Sequence, residues 1–409
     1  MTGASAPPPD AHTGPPRVTF QTRPDLPTRV EIVEDGQPVS RLQIVRITLR
    51  IGAAGVPMDG IADVFTEPGH RKRGLARRML ERTVEHMRGG DAALTMLYGI
   101  PDFYHRFGYT TTGPEHRLYL TRLDQPAALP AGWSARPLVA GDVPAVRHLY
   151  ARATAAVSGA ASRAEDGWIW ARLAGGIAPG QPETDGWEGC QVLVSPAGAV
   201  EAYIWRGRGF WYTDMVQRRH PEDLALAEAV AAGPDAARAA LARCRQWAAA
   251  AAAARGRPVH RVILGLTPEG EVARAAARQD ATFEQGFEAT GGSMARVLDT
   301  GRLLTALAPE LARRAAGAGF PPLTLACETE ESAARVALRP EPAAGAPPSG
   351  AETVALRLPQ TVLARLALGV YPPLELLAES APALDGRQRE VLSALFPQRR
   401  PHMYWLDRY

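Results

Sequence analysis

Cysteine is scarce in this 409-residue chain: Cys190, Cys244 and Cys327 lie far apart, with no CxxC spacing. That argues against a disulfide frame or a zinc site and predicts buried thiols in a reducing compartment. Long apolar runs are also lacking. No stretch of about twenty apolar residues occurs, so no membrane span is expected. The N-terminus has no basic segment leading into an apolar core, which predicts the absence of a secretory leader and a cytoplasmic protein. Neither sign of charge dominates: 46 Lys+Arg against 43 Asp+Glu leave a net charge of +3, too small to make nucleic acid the expected main partner. Lysine itself is nearly missing, Lys72 being the single one among the 46 basic residues. The enrichment in arginine, alanine, glycine and proline fits a GC-rich genome. Its physical consequence is that few primary amines on the protein's own surface could be modified.

What is present is ordinary globular composition, 46% hydrophobic and 22% charged, in a length that predicts two or three domains. The most informative stretch runs from Asp63 to Leu80. Its residues from Gly60 to Thr66 read as a strand, Pro68 and Gly69 break it, and an amphipathic helix opens near Gly74. Arg71, Lys72 and Arg73 stand where that helix begins, at the end where the macrodipole is already positive. Cations placed there suit an anion gripped jointly by side chains and free backbone N–H groups, with Gly74 allowing close approach. A solvated basic turn or a nucleic-acid patch is the competing reading of the triplet alone.

The chain in order predicts three units: residues 17–128, 129–297 and 298–409, after a Pro- and Ala-rich stretch at 1–16 expected to be disordered. In the first, strands are expected over Thr28–Glu34, Val39–Ile51 and Val56–Thr66, a helix over Gly74–Met87, a strand over Ala92–Tyr98, an aromatic turn at Gly99–Tyr109 and a closing strand at Leu118–Leu120. The second unit repeats a mixed pattern. Its predicted strands include Cys190–Ser195, Val200–Trp205, Val259–Leu264 and Gly291–Val297, its helices Asp142–Ala156, Asp235–Arg255 and Gly270–Gln279. No basic loop follows its strands, so it reads as a copy without the anion site. The third unit alternates helices (Gly301–Ala315, Gln360–Gly369, Gly386–Phe396) with strands (Leu323–Glu328, Ala333–Arg339, Thr353–Leu358), with a Pro/Ala/Gly linker at Pro340–Gly350.

Arg71-Lys-Arg-Gly-Leu-Ala76 resembles the R/Q-x-x-G-x-G/A motif of GCN5-related N-acetyltransferases, the GNAT superfamily. Phe103-Tyr-His-Arg-Phe-Gly-Tyr109 is similar to the Y-G-R-F-G-Y signature of the Eis (enhanced intracellular survival) family, with His105 in place of a glycine. The three-unit order, the Ser293–Asp299 junction and the closing aromatic residue resemble that family too. The resemblance implies an α/β (α+β) architecture: a catalytic GNAT domain, a degenerate second GNAT domain and a sterol-carrier-like domain. It implies acetyl-CoA as co-substrate, without a metal. Val64, Phe65 and Thr66 match the strand that binds the pantetheine arm. Arg71, Lys72, Arg73, Gly74, Leu75, Ala76 and Arg77 match the pyrophosphate loop, and Gly99 and Ile100 the cofactor-binding turn, though they lack the hydroxyl often found there. Tyr104 matches the general acid and the α-carboxylate of Tyr409 the general base. For Tyr104 an aromatic core residue, and for Tyr409 a frayed terminus, remain the alternatives.

By the same resemblance the acceptor is a primary amine (aminoglycoside, polyamine or lysine side chain), reached by direct transfer, and the assembly a homo-oligomer, a hexamer in that family. One departure stands out. Only mostly Pro-rich residues precede the strand at Arg29, so the helical wall of the acceptor site reads as shortened. A CoA-binding regulatory or scaffold protein is therefore the rival expectation. The acidic cluster Glu328–Glu331 reads as solvated, His402 has no second ligand at metal spacing, and Trp168–Trp170 and Trp205–Trp211 read as core or interface aromatics rather than a platform for nucleic acid.

Overall fold

A computed structural model of the chain describes residues 17–23, 26–125, 127–163, 189–339, 352–380 and 384–409. The disordered stretch expected at 1–16, the linker at Pro340–Gly350 and the Trp168–Trp170 pair lie outside the described residues. The first unit supplies β1 (Val18–Arg23), β2 (Leu26–Glu34), β3 (Gln37–Ile51), β4 (Ala54–Thr66), α1 (Leu75–Arg88), β5 (Leu94–Gly99), β6 (Thr110–Gly113) and β7 (Glu115–Leu120). The second supplies β8 (Ser134–Pro137), α2 (Val143–Ala153), β9 (Cys190–Val194), β10 (Val200–Trp205), α3 (Trp211–Arg219), β11 (Leu224–Leu226), β12 (Glu228–Ala231), α4 (Pro234–Arg255), β13 (Val262–Leu264), α5 (Glu271–Ala277), β14 (Ala281–Gly286) and β15 (Gly292–Val297). Sequence periodicity located most of these within a few residues. Strand β1, hidden in the Pro-rich lead, it missed. Among the described residues no helix precedes β2.

The strands do not stay with the unit that encodes them. The first sheet has the order β1-β2-β3-β4-β5-β15-β6, so β15 lies between β5 and β6. In return β7 lies between β13 and β14 in the order β11-β13-β7-β14. The sequence expectation that Leu118–Leu120 closes the first unit and Gly291–Val297 the second is thus corrected: each completes the other's sheet. Pro114, between β6 and β7, has no N–H to continue a ladder, so the chain turns out of the first sheet there. The remaining strands form the sheet β12-β10-β9-β8, and β11 and β12 are nearly continuous across Ala227. In each half an antiparallel partner of β3 or β10 (β4 and β12) leads into a helix (α1 and α4).

The third unit comprises α6 (Thr300–Gly317), β16 (Leu323–Glu328), β17 (Ala333–Leu338), β18 (Glu352–Arg357), α7 (Gln360–Leu368), α8 (Pro373–Ser380) and α9 (Gly386–Leu395). Its small sheet has the order β17-β16-β18. One apolar core joins all three units, with Leu49, Tyr203, Leu304, Leu366 and Trp405 among its members. A second core lies between the first sheet and α1, whose stripe Leu75, Met79, Leu80, Val84 and Met87 is buried as its spacing predicts. No described helix is long and apolar enough to cross a membrane.

Glu310 on α6 ties the third unit to the first. It accepts the Ala53 N–H at 3.0 Å and bonds from Arg313 at 2.7 Å and Arg314 at 2.6 Å, filling the space a Cβ at Gly52 would take. Burial alone would raise its pKa, but the Arg313, Ala53 and Arg314 bonds outweigh it and hold the carboxyl at about 2. A folded pKa below the usual 4.5 contributes stability that is complete above that value and is lost as pH falls toward 2. Glu310→Gln is expected to cost about 1–3 kcal/mol at neutral pH. The difference in urea midpoint between variant and wild type should shrink when both are measured at acid pH; an unchanged difference would show that the charge contributes nothing.

Candidate active site

The first sheet contains a divergence. β4 and β5 pair in parallel only at Met58–Leu94, Asp59–Thr95 and Gly60–Met96. Beyond these pairs β4 continues to Thr66 while β5 keeps β15 on its other edge, so that among the described residues this stretch of β4 has no strand partner on the β5 side. A bulge sits on this free stretch. Register slips opposite Arg41–Gln43, and Asp63 adopts φ 48°, with its carboxylate accepting Arg41 Nε at 3.1 Å. Unpaired N–H and C=O groups along such an edge are a template for an extended, amide-bearing ligand. Val64, Phe65 and Thr66 lie on it, each half-buried.

The basic loop follows. A short turn at Pro68–His70 leads through Lys72 (φ 61°) and Gly74 (φ 78°) into α1. No side chain caps α1 and no acid lies in its first turn, so its leading N–H groups point out unpartnered within the helix. The cations have separate fates. Arg71 donates to the Thr66 carbonyl at 3.0 Å and lies 5.8 Å from the Phe65 ring, at the mouth of the divergence. Arg73 is committed to Glu34 at 2.8 and 2.9 Å, and Arg77 to Glu81 at 2.9 Å. Lys72 is exposed and forms no ion pair among the described residues. Leu75 is buried and Ala76 half-buried. The second half lacks this provision: α4 starts with Pro234, which has no N–H, and Asp235, which repels anions.

Gly99 ends β5. A Cβ there would stand 2.6 Å from Met294 Sδ and 2.9 Å from the Tyr104 ring, so only glycine admits this packing. Ile100, the next residue, is exposed. Tyr104 is buried in the turn Tyr104–Phe107, against Phe103 and Tyr109 at 4.9 and 6.3 Å between ring centres. Burial pushes its phenol up to about 12, so it stays protonated. It belongs to the core on the α1 side of the sheet, with Leu97, whereas Met58 and Met96 face the other core.

Residues 401–409 are the surprise of the structure. This segment, expected to be a frayed end or a catalytic tail, is buried from Pro401 to Arg408. Asp407 accepts Arg163 at 2.8 and 3.0 Å and the Tyr150 hydroxyl at 2.8 Å. Arg163 also grips Glu228 at 2.9 and 2.6 Å, and Tyr203 donates to the same Glu228 at 2.5 Å. Arg408 meets both oxygens of Glu115 at 2.8 Å, with its guanidinium 3.9 Å from the Tyr212 ring and 4.6 Å from that of Tyr98. Glycines make room for the segment: a Cβ at Gly265 would fall 2.4 Å from the Trp405 ring, and one at Gly60 2.2 Å from Tyr409 Cζ. Tyr409 therefore lies on Gly60, the last β4 residue before the strands diverge. Its ring is on the side of Met58, whose sulfur is 3.8 Å from the hydroxyl. Sequence reading missed Arg163, Glu228, Glu115 and Asp407; an adjacent acid and base inside the aromatic tail was the available signal.

A small cavity borders the tail at Met96, Tyr98, Met403 and Arg408, and others lie apart from it. One of about 740 Å3 is lined by Leu149, Arg152, Glu269, Arg274 and Arg399, none of them a sequence-predicted site residue. Among the described residues the grouped metal-ligand types are His220, Glu222 and Asp223, where Asp223 is held by Arg261 at 2.6 Å.

Residues 13–112 match the family model described as an acetyltransferase (GNAT) domain. No curated protein matches the sequence. The fold over nearly the whole chain is shared with solved structures. A GCN5-related N-acetyltransferase from Kribbella flavida is 18% identical, with TM-score 0.61 over 93% of this chain and 87% of that one. Another from Anabaena variabilis is 17% identical, with TM-score 0.61 over 93% and 89%. Eis1 from Mycobacterium abscessus is 15% identical, with TM-score 0.53 over 92% and 89%.

The buried trio at the tail sets one guanidinium against two carboxylates, and burial pushes Glu228 up in pKa. Removing the single cation should therefore be far worse than neutralising one acid. Arg163→Met is expected to cost about 3–5 kcal/mol, because it strands buried charge. Glu228→Gln should cost much less, and chemical denaturation of both variants checks the order.

Proposed function

We propose that the chain is an acetyl-CoA-dependent N-acetyltransferase of the Eis type that moves an acetyl group directly to a primary amine. The observation that carries this reading is the placement of Tyr104 and Tyr409 on opposite sides of one strand divergence, with a basic, uncapped helix start at its head. Direct transfer needs that polarity: a proton donor at the departing sulfur, a proton acceptor at the attacking nitrogen, and the thioester carbonyl between them.

The residues fit the donor. The free β4 edge at Val64–Thr66 would take the amide-bearing arm. Arg71, Lys72 and the first N–H groups of α1 would hold the pyrophosphate, as helix starts hold anions. Arg73 acts one step removed, by pairing Glu34 so that no free carboxylate opposes the anion. The bound thioester supplies the electrophilic carbonyl carbon. The amine nitrogen bonds to that carbon, the C–S bond breaks, and the sulfur leaves as a thiolate that takes the Tyr104 proton. The amine proton passes to the Tyr409 α-carboxylate, directly or through water. A thiol titrates near 8.5 in water, so a phenol held at about 12 would donate uphill to a solvated thiolate. The same desolvation that raises Tyr104 raises the thiolate, which narrows that difference within the buried cleft.

The third unit, sterol-carrier-like in layout, delivers Tyr409 to a site built by the first. A homo-oligomer is part of this proposal by resemblance alone. The rival reading, a CoA-binding regulatory protein, draws on the absence of a described helix before β2 and on the Tyr409 ring lying at Gly60. Thiol release with a panel of amines separates the two, since a binder would gain thermal stability from acetyl-CoA without releasing thiol.

Tyr104→Phe should lower kcat by about 10²–10⁴ with little change in KM, and a drop smaller than about twofold would falsify the acid assignment. Because Tyr104 keeps its proton up to about 12, kcat/KM should rise with pH as amine and base deprotonate, without a falling limb below about pH 10. One glycine added after Tyr409 should abolish turnover while leaving coenzyme A binding intact; undiminished turnover would rule out the terminal carboxylate as the base.

A further inference from the structure

The face of the divergence that carries Tyr409 also carries an aromatic run that the transfer chemistry does not use. Trp211 opens α3 and is 37% exposed, unusual for a ring in contact with so many others. It meets Tyr212 at 5.2 Å and Tyr98 at 6.2 Å, and Tyr98 meets Tyr409 at 6.4 Å between ring centres. Tyr98 stands two positions beyond Met96, the last β5 residue paired with β4, and so shares its face. The rings thus lead from solvent to the point where β4 and β5 part.

Two of the three carboxylates along this wall are already matched to cations: both Glu115 oxygens are engaged by Arg408 at 2.8 Å and Glu284 by Arg117 at 2.8 Å, while Asp214 accepts the neutral Gly209 N–H at 3.2 Å. A polycation needs several carboxylates placed against its amines, and each ammonium left unmatched near a partly buried site costs desolvation. Aromatic faces ask for something else: an apolar or aromatic group to stack on, with at most one cation beside it.

We propose that Trp211, backed by Tyr98, binds the side group of the acceptor, so that the site selects an arylalkyl monoamine over a polycationic amine. This rests on the acetyl-transfer reading above and narrows its acceptor class. Trp211 touches substrate without taking part in bond making. Stacking on Trp211, together with the area it buries, should give about tenfold in specificity.

The test is steady-state kinetics of the full chain with acetyl-CoA and four acceptors: phenethylamine, n-butylamine, spermidine and kanamycin. Phenethylamine should exceed each of the others in kcat/KM by about tenfold. Trp211→Ala should erase that advantage through KM while changing butylamine by less than about twofold, and Trp211→Phe should restore most of it. Preference for spermidine or kanamycin, or an equal loss for all acceptors in Trp211→Ala, overturns the proposal while leaving acetyl transfer standing. Burial of Trp211 by self-association, seen as iodide-inaccessible Trp211 fluorescence by difference from Trp211→Phe, also overturns it. No thiol release with any amine, in protein that still binds coenzyme A, refutes the transfer reading itself and this inference with it.

Discussion

Two oppositely charged neighbours near the chain's end, Asp407 and Arg408, hold the architecture together. Each reaches a buried partner from a different element: Arg163, just after the bridge at Ala161, and Glu115 on a strand lent to the second sheet. Buried ions cost several kcal/mol each to desolvate, so such pairs add less to net stability than to specificity of placement. The placement is what matters. With both residues pinned, Tyr409 has one position, against Gly60, and a chain end that would otherwise fray becomes a fixed part of the first sheet's cleft.

That constraint explains why the three units share a core instead of standing apart. The tail packs against Tyr150 and Tyr212 of the second unit before it reaches the first, and Glu310 draws α6 onto the Gly52–Ala53 turn from the other side. Strand exchange adds a further tie, since neither large sheet is complete without a strand from the other half. Loss of one unit would leave open sheet edges and buried charges without partners, which is costly on both counts.

The halves share a plan, yet only one keeps an anion-ready helix start. Both helices have glycine at the N-cap, Gly74 and Gly233, and the difference lies in the next two positions: Leu75 and Ala76 at the head of α1 against Pro234 and Asp235 at the head of α4. Leu75 and Ala76 keep their N–H groups, with no side-chain cap on them, whereas a proline removes one and an acid repels what the others would bind.

Much was legible without coordinates. The stripe of α1, the break at Gly74, the aromatic turn around Tyr104 and the mixed pattern of each unit are local properties, written in periodicity and turn chemistry over a few residues. The loop's cations were legible as a group but not in their roles, because which of Arg71, Lys72 and Arg73 meets a carboxylate depends on where Glu34 arrives from. The exchange of β7 and β15 was not legible, since short apolar strands carry no mark of the sheet they join. Neither was the clamp on the tail: Arg163 and Asp407 are 244 positions apart, and pairing over such a separation is settled only when the core closes around both. Sequence alone determined most of the elements and the basic loop before α1; tertiary structure decided which side of the divergence each tyrosine faces, because burial and charge pairing are properties of the assembled core.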